Sequence, residues 1–294
     1  MEFFLQLAIN GVVVGSIYAL VALGFVIIYK SSGVLNFAQG EFLLLGAYVF
    51  WALVEGRVPL FAALALTVIF SIILGVSLER LVLRPMIGEP IISVIMVTLG
   101  LSSVLRAIVL GAWGTDTRPF PSFFSPEPIQ IGPLPVARGY IFSVVTSAVL
   151  LAAFSAFFRY SRVGIAMRAT AFSQQVAQSM GISVQRIFAV SWSIAAVVSA
   201  LGGVLLGTLR GGADGSLAVL GLKALPVVIL GGLDSVMGAI VGGLVIGVLE
   251  NLSGGYLDPI LGGGVKEVAP FAVLVLILMI KPYGLFGKVK IERV

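Results

Sequence analysis

The stretch that decides the fold is Phe3–Tyr29, which reads FFLQLAINGVVVGSIYALVALGFVIIY and contains no charged residue. A helix needs about 20 apolar residues to cross the hydrocarbon core of a bilayer, so this stretch is long enough to span one. It lacks a basic start and a small-residue cleavage site, and it is too long for a cleaved signal peptide. We therefore expect it to remain as the first membrane helix.

Further apolar stretches recur along the chain. Hydrophobic residues make up 59% of the 294 residues and charged residues 11%, against about 25% charged in a typical soluble domain. These proportions predict one all-α, polytopic membrane domain over residues 1–294, with about 8–9 membrane segments, at least one of them broken or kinked. The expected segments after the first are Ser31–Val54, Val58–Leu78, Pro90–Ala112, Gly139–Phe158, Ile187–Leu209, Gly215–Leu233, Ser235–Leu249 and Val268–Ile280.

The residue types that are missing argue against an enzyme. The chain has no cysteine and no histidine, which removes thiol chemistry, the commonest metal ligands and the commonest general base. It also has no P-loop: Lys288 follows a glycine, but Val289 stands where Ser or Thr is required. We predict no cofactor and no metal site. The chain is either a subunit powered by a separate ATPase or a channel or secondary transporter that works alone.

Basic residues set the expected orientation. The segment 159–186 carries four arginines and no acid, and the tail 281–294 is also basic. Because cytosolic loops of membrane proteins are rich in Lys and Arg, both should be cytosolic, which puts the N-terminus outside. The loop 113–138 then lies outside. It holds six prolines, so it is expected to be neither helix nor central strand.

Two groups of polar residues lie inside apolar segments. Asn36, Gln39 and Glu41 follow a break at Ser31–Gly40, and we predict that they border the substrate path; helix capping and interhelical hydrogen bonds are the alternative. Lys223 lies within a segment, where a charge is costly. We predict that it either faces a water-filled path or pairs with one of three carboxylates: Asp214, Asp234 or Glu41.

Small residues recur at helical spacing in the first, sixth and eighth segments. Gly238–Gly242 and Gly243–Gly247 repeat the pattern Gly-x-x-x-Gly, as do Gly11–Gly15 and Gly203–Gly207. This pattern lets helix backbones approach closely in lipid. The predicted role is helix packing, either within the chain or at a subunit interface.

The basic segment 159–186 also contains a predicted short helix. Residues from Ala177 end at Gly181, the residue type that commonly terminates a helix. A short helix on the cytosolic face is suited to dock into a motor domain, whose closure would move the attached spans. We therefore expect ATPase coupling to involve Arg168, Gln175, Ala177 and Gly181.

Several separated motifs, in order, resemble the LivH-type permeases of branched-chain amino acid ATP-binding cassette (ABC) importers. The matching stretches are Gly15-Ser-Ile-Tyr-Ala-Leu20, Ala22-Leu-Gly24, Leu35-Asn-Phe-Ala-Gln-Gly-Glu-Phe42, Leu45-Gly-Ala-Tyr48, Met180-Gly181-Ile182, Gly221-Leu-Lys-Ala224, Leu230-Gly-Gly232, Ser235, Gly238-Ala239 and Lys281-Pro-Tyr-Gly-Leu-Phe-Gly287. The loop around Ala177 is similar to the coupling segment of such permeases, although its acidic position is Gln175.

The resemblance implies a bacterial or archaeal inner-membrane permease. It implies a second related permease or another copy of the chain, two ATP-binding subunits, and a periplasmic or lipid-anchored binding protein. ATP would be bound by those partners. The implied cargo is leucine, isoleucine and valine or another small neutral amino acid, with urea or amides as the alternative within the family. Neither the exact cargo nor the choice between homodimer and heterodimer follows from the sequence.

Overall fold

The protein is largely α-helical in the computed structural model, which describes residues 1–124, 127–131 and 134–287. In chain order the helices are α1 (Glu2–Ser32), α2 (Gln39–Glu55), α3 (Leu60–Leu78), α4 (Ile91–Trp113), α5 (Arg138–Tyr160), α6 (Arg162–Phe172), α7 (Gln174–Ser179), α8 (Val184–Arg210), α9 (Ser216–Leu222), α10 (Ala224–Gly231), α11 (Val236–Tyr256), α12 (Asp258–Leu261) and α13 (Val265–Ile280). A π-helical turn, Glu79–Leu83, and a 3-10 turn, Arg84–Met86, continue α3.

Four short strands complete the described secondary structure. They are β1 (Arg118–Pro119), β2 (Ile129–Ile131), β3 (Leu134–Val136) and β4 (Gly212–Ala213), and β1 pairs with β4 and β2 with β3, both antiparallel. Three of them lie in the proline-rich loop. Proline is compatible with these two-stranded ribbons because both strands of a ribbon are edges. Two of the six loop prolines, Pro126 and Pro133, lie outside the described residues.

The predicted number of membrane segments is not confirmed by helix length and composition alone. Among the described residues, six helices are long and apolar enough to cross a membrane: α1, α3 with its continuation to Met86, α4, α5, α8 and α11. Helices α2 and α13 are shorter, with 17 and 16 residues. The segment predicted at Gly215–Leu233 is broken into α9 and α10, with Lys223 between them.

Local sequence accounts for several helix ends. Pro59 and Pro90 directly precede α3 and α4, where a missing N–H costs nothing because the first helical N–H groups have no partner in the helix. Ser235 caps α11 by accepting a hydrogen bond from the N–H of Gly238. Gly211 ends α8 in the left-handed conformation, φ 80°, which glycine adopts without strain.

The chain divides into two compact units. The first unit comprises residues 1–26, 124–151 and 223–294, and the second comprises residues 27–123 and 152–222. In the first unit the stretch after α13 returns to α10: the N–H of Leu285 donates to the carbonyl of Leu230 at 2.8 Å, and that of Phe286 donates to Gly231 at 3.0 Å. The rest of the predicted basic tail, with Lys288, Lys290 and Arg293, lies outside the described residues.

The second unit is built around α2 and α8. Their backbones approach closely at two glycines: a Cβ added to Gly46 would meet the Cα of Ala200 at 2.3 Å, and one added to Gly203 would fall against the carbonyl oxygen of Leu43. Nearly every side chain of α2 up to Phe50 is buried. Helices α3 and α4 present apolar side chains outward instead, the pattern of helices that face lipid.

Candidate functional site

The predicted break between the first two segments lies between Ser32, where α1 ends, and Gln39, where α2 begins. Asn36 is buried in this break and accepts a hydrogen bond from the N–H of Ala38 through its side-chain oxygen at 3.0 Å. Its Nδ2 donates to Oε1 of Gln39 at 3.2 Å. The side chain of Asn36 therefore holds the turn that precedes α2, and it does not cap the helix, whose N-cap residue is Ala38.

Gln39 ties this break to α8. Its Nε2 donates to the hydroxyl of Ser199 at 2.6 Å and to the carbonyl of Ala195 at 3.3 Å, and all three residues are buried. On the other side of the break, the N–H of Phe37 donates to the hydroxyl of Thr98 on α4 at 3.3 Å. Non-helical backbone within a membrane domain persists only where its polar groups find partners, and the N–H groups of Phe37 and Ala38 find theirs in the side chains of Thr98 and Asn36.

Glu41 forms an ion pair within the second unit. Nη2 and Nε of Arg106, on α4, donate to its Oε1 at 2.7 and 3.1 Å. The side chain of Glu41 is 3% exposed and that of Arg106 is 40% exposed. Oε2 of Glu41 has no hydrogen-bond partner among the described residues. The carboxylate is thus half satisfied, and its second oxygen can accept a hydrogen bond from a group that enters the membrane domain.

The predicted partners of Lys223 are wrong. Its Nζ lies 2.9 Å from Oε1 of Glu250, on α11, and 2.6 Å from Oε2 of Glu267, on α13. Lys223 and Glu250 are both buried, and the three residues belong to the first unit. Asp214, one of the predicted partners, instead accepts a hydrogen bond from the N–H of Ser216 at the start of α9. The sequence could not show that α11 and α13 pack beside Lys223 and supply its partners.

A cavity of about 220 Å³ lies in the second unit beside the break. Its wall is mostly apolar and includes Trp192 from α8, and its polar members include Asn36 from the break and Gln174 from the start of α7. Asn36 is the one predicted path residue that lines it. Gln39 and Glu41 do not line it, because their side chains are engaged with α8 and α4.

The basic segment 159–186 contains two short helices, α6 and α7. Ser173 caps α7 by accepting a hydrogen bond from the N–H of Val176, and Gly181 follows the helix with φ +81°. Ala177 is buried, while Gln175 is exposed. Helix α7 therefore turns Ala177 inward and leaves an exposed face.

Arg168 contacts the end of α5 rather than α7. Its guanidinium donates to the backbone carbonyls of Phe158 and Arg159 and lies over the ring of Phe158. The last carbonyls of a helix lack partners within the helix, so a cation here both satisfies them and favours the negative end of the helix dipole. Arg168 fixes the angle at which the segment leaves α5.

The predicted packing glycines of α11 contact neighbouring helices of the same chain. A Cβ on Gly243 would meet Ala19 and the carbonyl of Gly15, on α1, at 2.7 Å, and one on Gly247 would fall 2.4 Å from the Cα of Gly15. Gly242 lies against Val227 and Gly238 against Gly231, both on α10. These contacts belong to packing within the first unit.

Sequence reasoning missed the ionic partners Arg106, Glu250 and Glu267, and the hydroxyl partners Ser199 and Thr98. One signal was available: Arg106 and Glu41 are opposite charges in two separate apolar segments, and such residues usually pair. The hydroxyls gave no signal, because serine and threonine often bond to their own helix backbone.

Comparison with known proteins identifies the family. The family model for the permease component of branched-chain amino acid transport systems matches residues 7–280. The chain belongs to this permease family. The permease resembles "High-affinity branched-chain amino acid transport system permease protein LivH" of Escherichia coli K12, at 32% identity over 99% of this chain and 98% of that protein. The predicted resemblance is confirmed.

Other relatives extend the comparison. The permease is 31% identical to "High-affinity branched-chain amino acid transport system permease protein BraD" of Pseudomonas aeruginosa over 99% of this chain and 98% of that one. It is 28% identical to a probable LivH permease of Methanocaldococcus jannaschii, over 95% of this chain and 91% of that protein. A solved structure, PsaBC from Streptococcus pneumoniae in complex with Fab, matches 95% of this chain and 92% of that chain with a TM-score of 0.52 and 14% identity. That likeness concerns the fold alone.

Proposed function

We propose that this permease translocates branched-chain or other small neutral amino acids into the cell as the membrane subunit of an ATP-binding cassette importer. The observation that carries the proposal is the family match over residues 7–280, together with relatives named for branched-chain amino acid transport. The sequence has no P-loop, which agrees with a permease whose ATP is bound by separate subunits.

The proposed complex contains four kinds of part. A second related permease, or another copy of this one, completes the membrane portion, and two ATP-binding subunits contact its cytosolic face. A periplasmic or lipid-anchored binding protein delivers cargo from outside. The permease binds no cofactor itself, since ATP belongs to the motor subunits. This division of work agrees with the family description, which names a permease component of a transport system.

We assign the motor contact to α7. Val176 and Met180 are 58% and 77% exposed, although both are apolar, and a cytosolic helix gains nothing from such exposure unless a partner covers it. Ala177 holds the helix to the permease, Gln175 lies on its exposed side, and Gly181 allows the chain to turn into α8. Arg168 supports this arrangement from α6 by capping α5.

We propose the membrane orientation in which the basic segments face the cytosol. With the N-terminus outside and the tail in the cytosol, about nine crossings result if α2, the broken pair α9–α10 and α13 cross along with the six long helices. The alternation then keeps 159–186 in the cytosol and 113–138 outside. The protein would lie in the bacterial or archaeal inner membrane.

The test is uptake by proteoliposomes that contain this permease together with a second permease, two ATPase subunits and the binding protein of the same importer. We expect leucine uptake that requires ATP and all subunits. Met180→Asp should reduce uptake by about tenfold or more, because it places a charge in the motor interface. Ile260→Asp, an equally exposed apolar residue on α12, is the matched control and should retain uptake.

Three outcomes would contradict the proposal or part of it. Transport by the permease alone, without ATP, would indicate a channel or secondary transporter. Uptake of urea or an amide in place of leucine would keep the importer and change the cargo. Normal uptake by Met180→Asp would move the motor contact away from α7.

A further inference from the structure

We propose that the cavity beside Asn36 is a binding site for the translocated amino acid on its way to the cytosol, and that it selects a branched aliphatic side chain. The inference rests on the proposed function and names the substrate class of the site. The cavity lies wholly within the second unit, so it is complete in one compact part of the chain.

The size of the cavity suits a single small amino acid. Its volume of about 220 Å³ equals the liquid volume of roughly seven water molecules at about 30 Å³ each. An amino acid such as leucine has a similar number of non-hydrogen atoms.

The lining separates into an apolar part and a polar part. Trp192, Phe188 and Val94 are buried apolar residues on α8 and α4 that offer a surface for an aliphatic side chain. Urea has no apolar group to place there, whereas burial of a branched side chain against this surface is favourable. This lining therefore favours leucine, isoleucine or valine over urea.

The polar part matches the two charged ends of an amino acid. Asn36 is 1% exposed, and among the described residues its Nδ2 donates one hydrogen bond, which leaves a second N–H for a ligand carboxylate. Gln174 adds an amide on the same lining. Glu89 lies on the exposed part of the lining, forms no ion pair among the described residues, and can accept hydrogen bonds from a ligand ammonium.

The position of the cavity connects the site to the motor contact. Gln174 is the first residue of α7, the helix to which we assign that contact, and Asn36 lies in the break before α2. A ligand held between them touches both the coupling segment and the interior of the second unit. Movement of α7 would then change the shape of the cavity and release the ligand.

The experiment uses the full permease in lipid nanodiscs and reads tryptophan fluorescence. The chain has three tryptophans, so Trp51→Phe with Trp113→Phe leaves Trp192, which lines the cavity, as the reporter. We expect leucine to change its emission with saturation. 3-Methylbutylamine, which keeps the ammonium, should bind more weakly than leucine, 4-methylpentanoate more weakly still, and urea should have no effect.

Three variants test the lining. Ile87→Trp, at a partly exposed residue of the lining, should fill the cavity and reduce leucine affinity more than tenfold, measured by equilibrium binding of radiolabelled leucine because this variant adds a second tryptophan. Glu89→Gln should reduce it by up to about fivefold, the range of an exposed ion pair. Glu55→Gln, an exposed carboxylate at the end of α2, is the matched control and should leave affinity unchanged.

The outcomes separate this inference from the proposed function. No saturable response to leucine, or a response that Ile87→Trp leaves intact, overturns the inference. A saturable response to urea, or 4-methylpentanoate binding as tightly as leucine, also overturns it. Leucine uptake by the assembled importer is measured separately: uptake without cavity binding leaves the proposed function standing, and cavity binding without uptake contradicts that function alone.

Discussion

Two of the ionic groups that the structure describes, one in each compact unit, are arranged differently. In the second unit, Glu41 is buried and its partner Arg106 is 40% exposed. In the first unit, Lys223 and Glu250 are both at most 5% exposed, and Glu267, the second carboxylate on Lys223, is 64% exposed. In the second unit the cation is therefore partly exposed. In the first unit the cation is buried, and one of its two carboxylate partners is exposed.

This difference determines which single change costs most. A buried charge without a partner is expensive, because desolvation is no longer offset by a nearby opposite charge. A residue with a partly exposed side chain can find water or another partner after its pair is broken. The two groups should therefore respond asymmetrically, and the buried member left behind determines the size of the effect.

The largest effect is expected for Lys223→Met. It leaves the carboxylate of Glu250 buried, and Oε2 of Glu250 already lacks a hydrogen-bond partner among the described residues. Removing one partner of a buried ion pair costs about 3–5 kcal/mol of unfolding free energy. Thermal unfolding of the purified permease, monitored by size-exclusion chromatography after heating, measures the change.

The double variant Lys223→Met with Glu250→Leu serves as the control for this prediction. It removes both buried charges and should recover most of the lost stability, because replacing a buried pair by apolar residues is often neutral. If it recovers stability but not uptake, Lys223 acts in transport as well as in structure. Equal stability of the single variant and the unchanged permease would contradict the structural role.

A smaller and asymmetric effect is expected for the Glu41–Arg106 pair. Arg106→Met leaves a buried carboxylate and should cost more than Glu41→Gln, which leaves a partly exposed arginine and keeps an oxygen at hydrogen-bond distance. The expected difference in unfolding free energy is about 1–3 kcal/mol. Thermal unfolding of the two variants side by side provides the measurement. If Glu41→Gln lost more unfolding free energy than Arg106→Met, the exposure of the side chain left behind would not determine the loss.

The smallest effect is expected for Glu267→Gln. Its side chain is 64% exposed, and exposed ion pairs contribute about 0–1 kcal/mol. Lys223 keeps Glu250 in this variant, so no buried charge loses its last partner. The melting temperature of Glu267→Gln should stay close to that of the unchanged permease. A loss as large as that of Lys223→Met would mean that Glu267 is the principal partner.

The sequence predicted where membrane helices are interrupted better than it predicted which side chains form ion pairs. Gly33 and the polar residues from Asn36 predicted an interrupted helix, and the structure has α1 end at Ser32 and α2 begin at Gln39. Lys223 and Pro226 likewise marked the segment that is divided into α9 and α10. Breaks are local, because they depend on glycine, proline and polar side chains that compete with helix geometry. The members of each ion pair lie far apart in the sequence, so local residue patterns could not predict the pairing.

The glycines give a second example. Their spacing predicted that helices pack closely but not which helices do so. In the structure, Gly243 and Gly247 of α11 contact Gly15 of α1. The cavity is also beyond sequence reasoning, because α1, the turn before α4, α7 and α8 all contribute to its wall.

By itself, the sequence determined that this protein is a helical membrane protein, that it has no P-loop, and that it resembles a permease family. Composition and short motifs suffice for these conclusions because the cost of charge in lipid and the needs of phosphate binding are local rules. Only the tertiary structure decided that Lys223 pairs with Glu250 and Glu267, that Arg106 pairs with Glu41, and that Asn36 lines a cavity. These pairings depend on which helices lie side by side, and helix packing is set by the shape of the whole chain.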